Sequence, residues 1–214
     1  MLESNKPLLR GTLHIAAALI AIPAGAYLIK ATQLESLHTS LRWYWISLCF
    51  LFCTSGLYHT PPWPPKIKQI LRRIDHAAIF ILIGGSYLPF FAVMGPNVPE
   101  LIPMTLGFGV VAGVIKSLFA ISGARIARVL SYGVVGLIAL AMLPSMFAHL
   151  PLSTNLLVIG GGALYGIGAF IYARQSPNPW PKTFGFHELF HLFVNLGAAC
   201  HFTAIWIMTA HVST

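Results

Sequence analysis

His187-Glu188-Leu189-Phe190-His191 opens the last long apolar stretch of the chain, which runs on to Met208 as LFVNLGAACHFTAIWIM. Histidines four apart on a helix lie about 40° apart in rotation and one turn apart in height, so both can face one metal ion. The apolar residues that follow place this pair at the edge of a hydrocarbon layer. The rest of the chain then has to supply a further ligand, a base and a reason to bind metal at that depth.

The composition agrees with a membrane setting. Of 214 residues, 57% are hydrophobic and only 8% charged, with a mean hydropathy of +0.76. Soluble domains carry about 25% charged residues, and so little charge could not solvate a folded surface of this size. The formal net charge of +8 comes without a dense Lys/Arg run, which argues against a nucleic-acid partner and for an anionic membrane leaflet. Cys49, Cys53 and Cys200 all sit inside apolar runs, an odd number that does not make a disulfide framework.

Seven apolar runs approach the roughly 20 residues needed to cross a bilayer. They are Leu13–Ile29, Trp43–Tyr58, Ala77–Met94, Leu101–Ile121, Val129–Phe147, Leu156–Ala173 and Leu189–Met208. Pro61-Pro62-Trp63-Pro64-Pro65, Gly95-Pro96, Pro151 and Pro177-Asn178-Pro179-Trp180-Pro181 punctuate them as loops. The connections are short throughout, so the expectation is an all-α membrane protein with one domain over residues 1–214. Lys6 and Arg10 followed by an apolar run and Ala24-Gly25-Ala26 have the look of a cleaved leader. The run continues to Ile29, however, and contains His14, so it is read as the first span.

Basic residues set the orientation. With the N-terminus inside, eleven of the 13 Lys and Arg residues fall on inner segments, among them Lys66, Lys68, Arg72, Arg73, Arg125 and Arg128, and only Lys30 and Arg42 fall outside. The sequence therefore predicts a seven-transmembrane helix bundle in the cell membrane, N-terminus cytoplasmic and C-terminus outside.

On that topology His14, His59, Asp75, His187 and His191 come from four spans and share one layer near the cytoplasmic side. Ionisable groups inside spans are costly and face the bundle interior or a water-filled cavity. Three neutral imidazoles with an open fourth position match a catalytic zinc, and a neighbouring carboxylate can act on water beside it. Asp75 is the best placed carboxylate. Ser55, one turn before His59 on the same face, can support a developing oxyanion, and Ser86 falls on the Asp75 face. His76 points about 100° away from Asp75, His201 lies about 15 Å deeper than His191, and His38, His149 and His211 fall in outer segments. The pair also satisfies H-E-x-x-H, the zinc-protease helix with Glu188 as base. No further ligand follows at the spacing some of those enzymes use, since the residue seven after His187 is Val194.

At these residues the chain resembles the haemolysin III family, the bacterial branch of the adiponectin and progestin receptor proteins. The match covers essentially the whole chain: His14, Ser55-x-x-x-His59, Asp75-His76, Gly85-Ser86-Tyr87-x-Pro89 and His187-x-x-x-His191-Leu192-Phe193-Val194. The resemblance implies a zinc ion (Zn2+) held by His59, His187 and His191, with Asp75 beside it, and kinship with membrane hydrolases that include alkaline ceramidases. Glu188 then becomes an incidental neighbour. The functional expectation is a zinc-dependent hydrolase of an amide or ester in a lipid-like substrate, with Asp75 and Ser55 as the catalytic residues. A non-catalytic sensor of lipid state with structural zinc, and a pore or lytic protein, are the competing readings.

Overall fold

A computed structural model describes residues 7–120 and 124–212. Lys6 of the leader-like start and Ile121, the expected end of the fourth run, lie outside them. The described residues form eight α-helices: α1 (Thr12–Ala31), α2 (Glu35–His59), α3 (Pro65–Met94), α4 (Leu101–Phe119), α5 (Arg125–Gly136), α6 (Ala139–His149), α7 (Leu152–Arg174) and α8 (Phe186–Val212). A short 3-10 turn, Gly95–Asn97, follows α3. Among the described residues there is no strand beyond one bridge between Trp180 and Phe184.

Among the described residues six segments are long and apolar enough to cross a membrane: α1, α3 with its 3-10 turn, α4, α5 and α6 together, α7 and α8. Their outward side chains are large and apolar, including Leu19, Ile20, Phe108, Phe119, Val134 and Phe170. An aqueous monomer rarely exposes so much contiguous apolar surface, whereas lipid tails solvate it. The seventh long helix, α2, falls short on apolar content, although its 25 residues span about 37 Å. It packs between α1 and α3 and buries Leu37, Leu41, Tyr44, Leu48, Leu51, Ser55 and His59. Those positions recur at helical spacing. Its polar residues Glu35, Ser36, Thr39 and Arg42 are exposed near its start, while Ser47, Ser55 and His59 are buried against protein neighbours.

Helix α2 begins at Glu35, eight residues before its apolar run, and two further departures from the sequence expectation are informative. Helix α3 begins at Pro65, twelve residues before the apolar run, with proline in its first turn, where its missing N–H costs nothing. The fifth run is broken into α5 and α6 around Leu137 and Ile138. There the Tyr87 hydroxyl of α3 donates to the Gly136 carbonyl at 2.8 Å. Residues 138, 140 and 141 bond three residues back, and Pro144 supplies no N–H to the ladder. Inserted side chains and prolines are the usual causes of such breaks.

Close helix approach depends on small residues, the general device where lipid offers no hydrophobic drive between helices. A Cβ at Gly85 of α3 would lie 2.1 Å from Ser47 Oγ of α2, and one at Gly161 of α7 would lie 3.0 Å from the Gly197 carbonyl of α8. Where α8 begins, the chain ahead of α1 is fastened to it. Leu8 and Leu9 donate backbone bonds to Lys182 and Thr183, and Arg10 pairs with the fully buried Glu188. Glu188 Oε2 also accepts the Gly185 N–H at 2.8 Å. This is the capping bond of a glutamate three residues into a helix.

Removing one partner of a buried pair leaves an uncompensated charge costing about 3–5 kcal/mol. Arg10→Ala is therefore expected to lower the melting temperature in detergent markedly, and Arg10→Ala with Glu188→Gln to recover much of the loss. Gly85→Ala overpacks the α2–α3 seam and is expected to cost about 1–3 kcal/mol. Gly107→Ala, where a Cβ meets nothing within 4 Å, leaves the melting temperature unchanged or slightly raised.

Candidate metal centre

One end of the bundle gathers the ionisable side chains. Helix α2 delivers His59 as its last residue, α8 delivers His187 and His191 from its first two turns, and α1 brings His14 three residues from its start. Asp75 comes from the third turn of α3, on its buried side.

His59, His187 and His191 each offer a ring nitrogen, and these atoms lie within 4.8 Å of one another. The rings meet edge to face, with centroids 4.6 Å apart for His59–His187, 5.0 Å for His59–His191 and 4.6 Å for His187–His191. The Nε2 atoms of His59 and His187 face each other at 3.2 Å. Two nitrogens bound tetrahedrally to zinc at about 2.0–2.1 Å lie about 3.3 Å apart, so this edge already has the required length. His191 Nδ1 is buried and has no hydrogen-bond partner. The donor set, its spacing and its burial fit a metal ion, and the trio can hold one.

The remaining residues of the layer surround the trio. His14 stacks on His191 with centroids 3.9 Å apart and planes 7° from parallel. Imidazole lone pairs lie in the ring plane, so parallel stacked rings do not converge on one ion. His14 thus braces His191. Both His14 nitrogens are buried without a hydrogen-bond partner. Asp75 is buried beside His59 and the Ser55 hydroxyl, and its Oδ2 lies 3.6 Å from His76 Nδ1. Tyr172 of α7 meets the His187 ring edge-on at 5.4 Å, and Arg125 sits over the Tyr172 and Phe186 rings at 5.3 and 5.9 Å.

Other polar positions stand apart from this group. The Ser86 hydroxyl donates to the Ile83 carbonyl of its own helix at 2.9 Å. His201 bonds the Val158 carbonyl at 3.2 Å and packs against Tyr165. His38 and His149 bond backbone carbonyls.

Sequence reasoning treated Glu188 as incidental and missed its work. Both its oxygens are engaged, one by Arg10 and one by the Gly185 N–H, which leaves no free oxygen for the base of an H-E-x-x-H site. The signal was present in Gly185-x-x-Glu188, a capping spacing. The Tyr172 contact had no local signal.

A family model described as Haemolysin-III related matches residues 2–202. The chain is 29% identical over 199 residues to Hemolysin-3 of Bacillus cereus, covering 90% of this chain and 86% of that protein. It is 30% identical over 157 residues to Heptahelical transmembrane protein 4 of Arabidopsis thaliana, covering 65% of this chain and 40% of that protein. Similarity reaches Monocyte to macrophage differentiation factor of Homo sapiens, 24% identical over 205 residues, with 88% and 79% covered. A match over nearly the whole chain, joined to six membrane-length apolar helices, makes this multi-pass membrane protein a member of the haemolysin III family.

Proposed function

We propose that the protein is a zinc-dependent membrane hydrolase acting on an amide or ester of a lipid-like substrate. Residues 1–214 form one domain in this reading. It crosses the cell membrane seven times, with α2 as the seventh span, α5 and α6 as one crossing, the N-terminus cytoplasmic and the C-terminus outside. The supporting observation is the juxtaposition of the buried His59/His187/His191 trio with a buried carboxylate and hydroxyl, Asp75 and Ser55.

His59, His187 and His191 would hold the ion. Zinc bound by three imidazoles supplies Lewis acidity, polarising a carbonyl and acidifying water. The chain's own residues do the rest. Asp75, beside His76 and hydrogen-bonded by the Ser55 hydroxyl, accepts the proton of the attacking water and returns it to the departing nitrogen or oxygen. Ser55, whose hydroxyl donates to the Asp75 carboxylate, orients it. Once Asp75 has taken up the proton, that one O–H is released to donate toward the oxygen that gains charge. His14, stacked on His191, keeps that ring from turning away. Lipid-facing helices around the layer suit an apolar substrate tail entering from the bilayer.

Metal analysis of the purified protein is expected to find one zinc per chain, lost in His187→Ala plus His191→Ala. No stoichiometric zinc in the parent protein would sink the proposal. Asp75→Asn is expected to retain zinc while losing hydrolysis of amide- or ester-linked lipids by about two to four orders of magnitude, the usual worth of general acid–base catalysis. If Asp75→Asn binds zinc and leaves the cellular phenotype intact, the metal is structural and the lipid-sensor reading takes its place. Cysteine-accessibility labelling from each side of the membrane tests the topology; a cytoplasmic C-terminus would refute it.

A further inference from the structure

A second polar site lies on the far side of the Asp75–His76 step. Asp75 faces α2, while His76, the next residue on α3, lines a small cleft with Lys116 and Ser117 of α4 and Arg128, Ser131 and Tyr132 of α5. Arg128, Ser131 and Tyr132 are three and four residues apart, so one face of α5 presents all three. The Tyr132 ring packs against Phe80 of α3 at 4.9 Å and forms the floor. Tyr132 feels the Asp75 carboxylate as well as the Arg128 and Arg72 cations.

The chemistry of the lining is one-sided. Lys116 and Arg128 are fixed cations, His76 is an imidazole, and no carboxylate is among the lining residues. The Ser117 and Ser131 hydroxyls donate to carbonyls of their own helices at 2.8 and 2.7 Å, so the charged donors come from Lys116 and Arg128. At this end of the bundle the described carboxylates are Asp75, behind His76, and Glu188, engaged by Arg10. Glu35 and Glu100 sit where α2 and α4 begin, at the opposite end. An excess of positive charge therefore gathers in a cleft between three helices, at the depth where an apolar bundle meets lipid headgroups.

We propose that the His76/Lys116/Arg128/Tyr132 cleft binds the phosphate group of an anionic membrane lipid. A guanidinium and an ammonium on two different helices can clamp one phosphate from two sides, and cationic pockets between spans are suited to anionic headgroups. The acyl chains lie along the exposed apolar faces of α4 and α5, which carry Ile115, Phe119 and Leu130. The site stands on this geometry alone and does not depend on hydrolysis at the histidine trio.

Native mass spectrometry of the purified full-length protein, with phosphatidylglycerol or phosphatidylcholine supplied, tests it. The parent protein is expected to retain phosphatidylglycerol in preference to phosphatidylcholine. Lys116→Gln plus Arg128→Gln is expected to weaken that retention by about thirtyfold, the effect of losing two cations near a membrane surface. The charge-conserving Lys116→Arg plus Arg128→Lys, and Lys66→Gln outside the cleft, are expected to retain the lipid, which separates loss of the site from loss of the fold. Equal retention of both lipids by the parent, or parental retention by the double glutamine variant, overturns the proposal. Inorganic phosphate without lipid distinguishes the source. A melting-temperature rise equal to that from phosphatidylglycerol, absent in the double glutamine variant, would assign a soluble phosphate and overturn the lipid assignment; no rise supports it.

Discussion

The constraint on which this structure rests is that a polar group inside a hydrocarbon layer has no water to bond and must find its partner within the protein. The chain answers it by collecting its buried imidazoles and carboxylates at one end of the bundle, where the His14 nitrogens and His191 Nδ1 lack a hydrogen-bond partner. His14, His59, Asp75, Glu188 and His191 are all buried there, each in contact with another polar or aromatic member of the group. The rest of each long helix can then be apolar toward lipid and small toward its neighbours.

The first two turns of α8 carry several of these obligations at once. His187 and His191 turn toward His59, Glu188 caps the helix and receives Arg10, and Phe190 packs on Tyr172. Successive residues on a helix differ by about 100°, so one short segment can address several neighbours. Anchoring by Arg10 and the cap by Glu188 also hold the helix start in place, and through it the spacing of the two histidines. A side chain between two candidate ligands is therefore part of their support.

Much of the architecture was legible in the sequence because it follows from local regularities. Apolar runs of membrane length, Pro/Gly clusters between them and the lack of charge led directly to a helical membrane protein. The shared layer of His59, Asp75, His187 and His191 followed from counting residues along those runs. What escaped was non-local. The break between α5 and α6 depends on a Tyr87 hydroxyl arriving from α3 at the Gly136 carbonyl, a pairing that no window along 129–147 contains. The early start of α3 was hidden because its first turns are basic, and apolar periodicity is silent where a helix leaves the hydrocarbon.

By itself the sequence determined the class of the protein, its helical segments, the family resemblance and the residues that could meet at one depth, because hydropathy and helical rise act along the chain. Only the tertiary structure decided which of those residues touch and in what orientation. It set His14 parallel to His191, so that the two rings cannot converge on one ion, turned Glu188 to Arg10, and opened a cationic cleft on the other side of Asp75. Those outcomes depend on the rotation of each helix about its axis and on how closely its neighbours approach. Both are settled by packing between segments far apart in the chain.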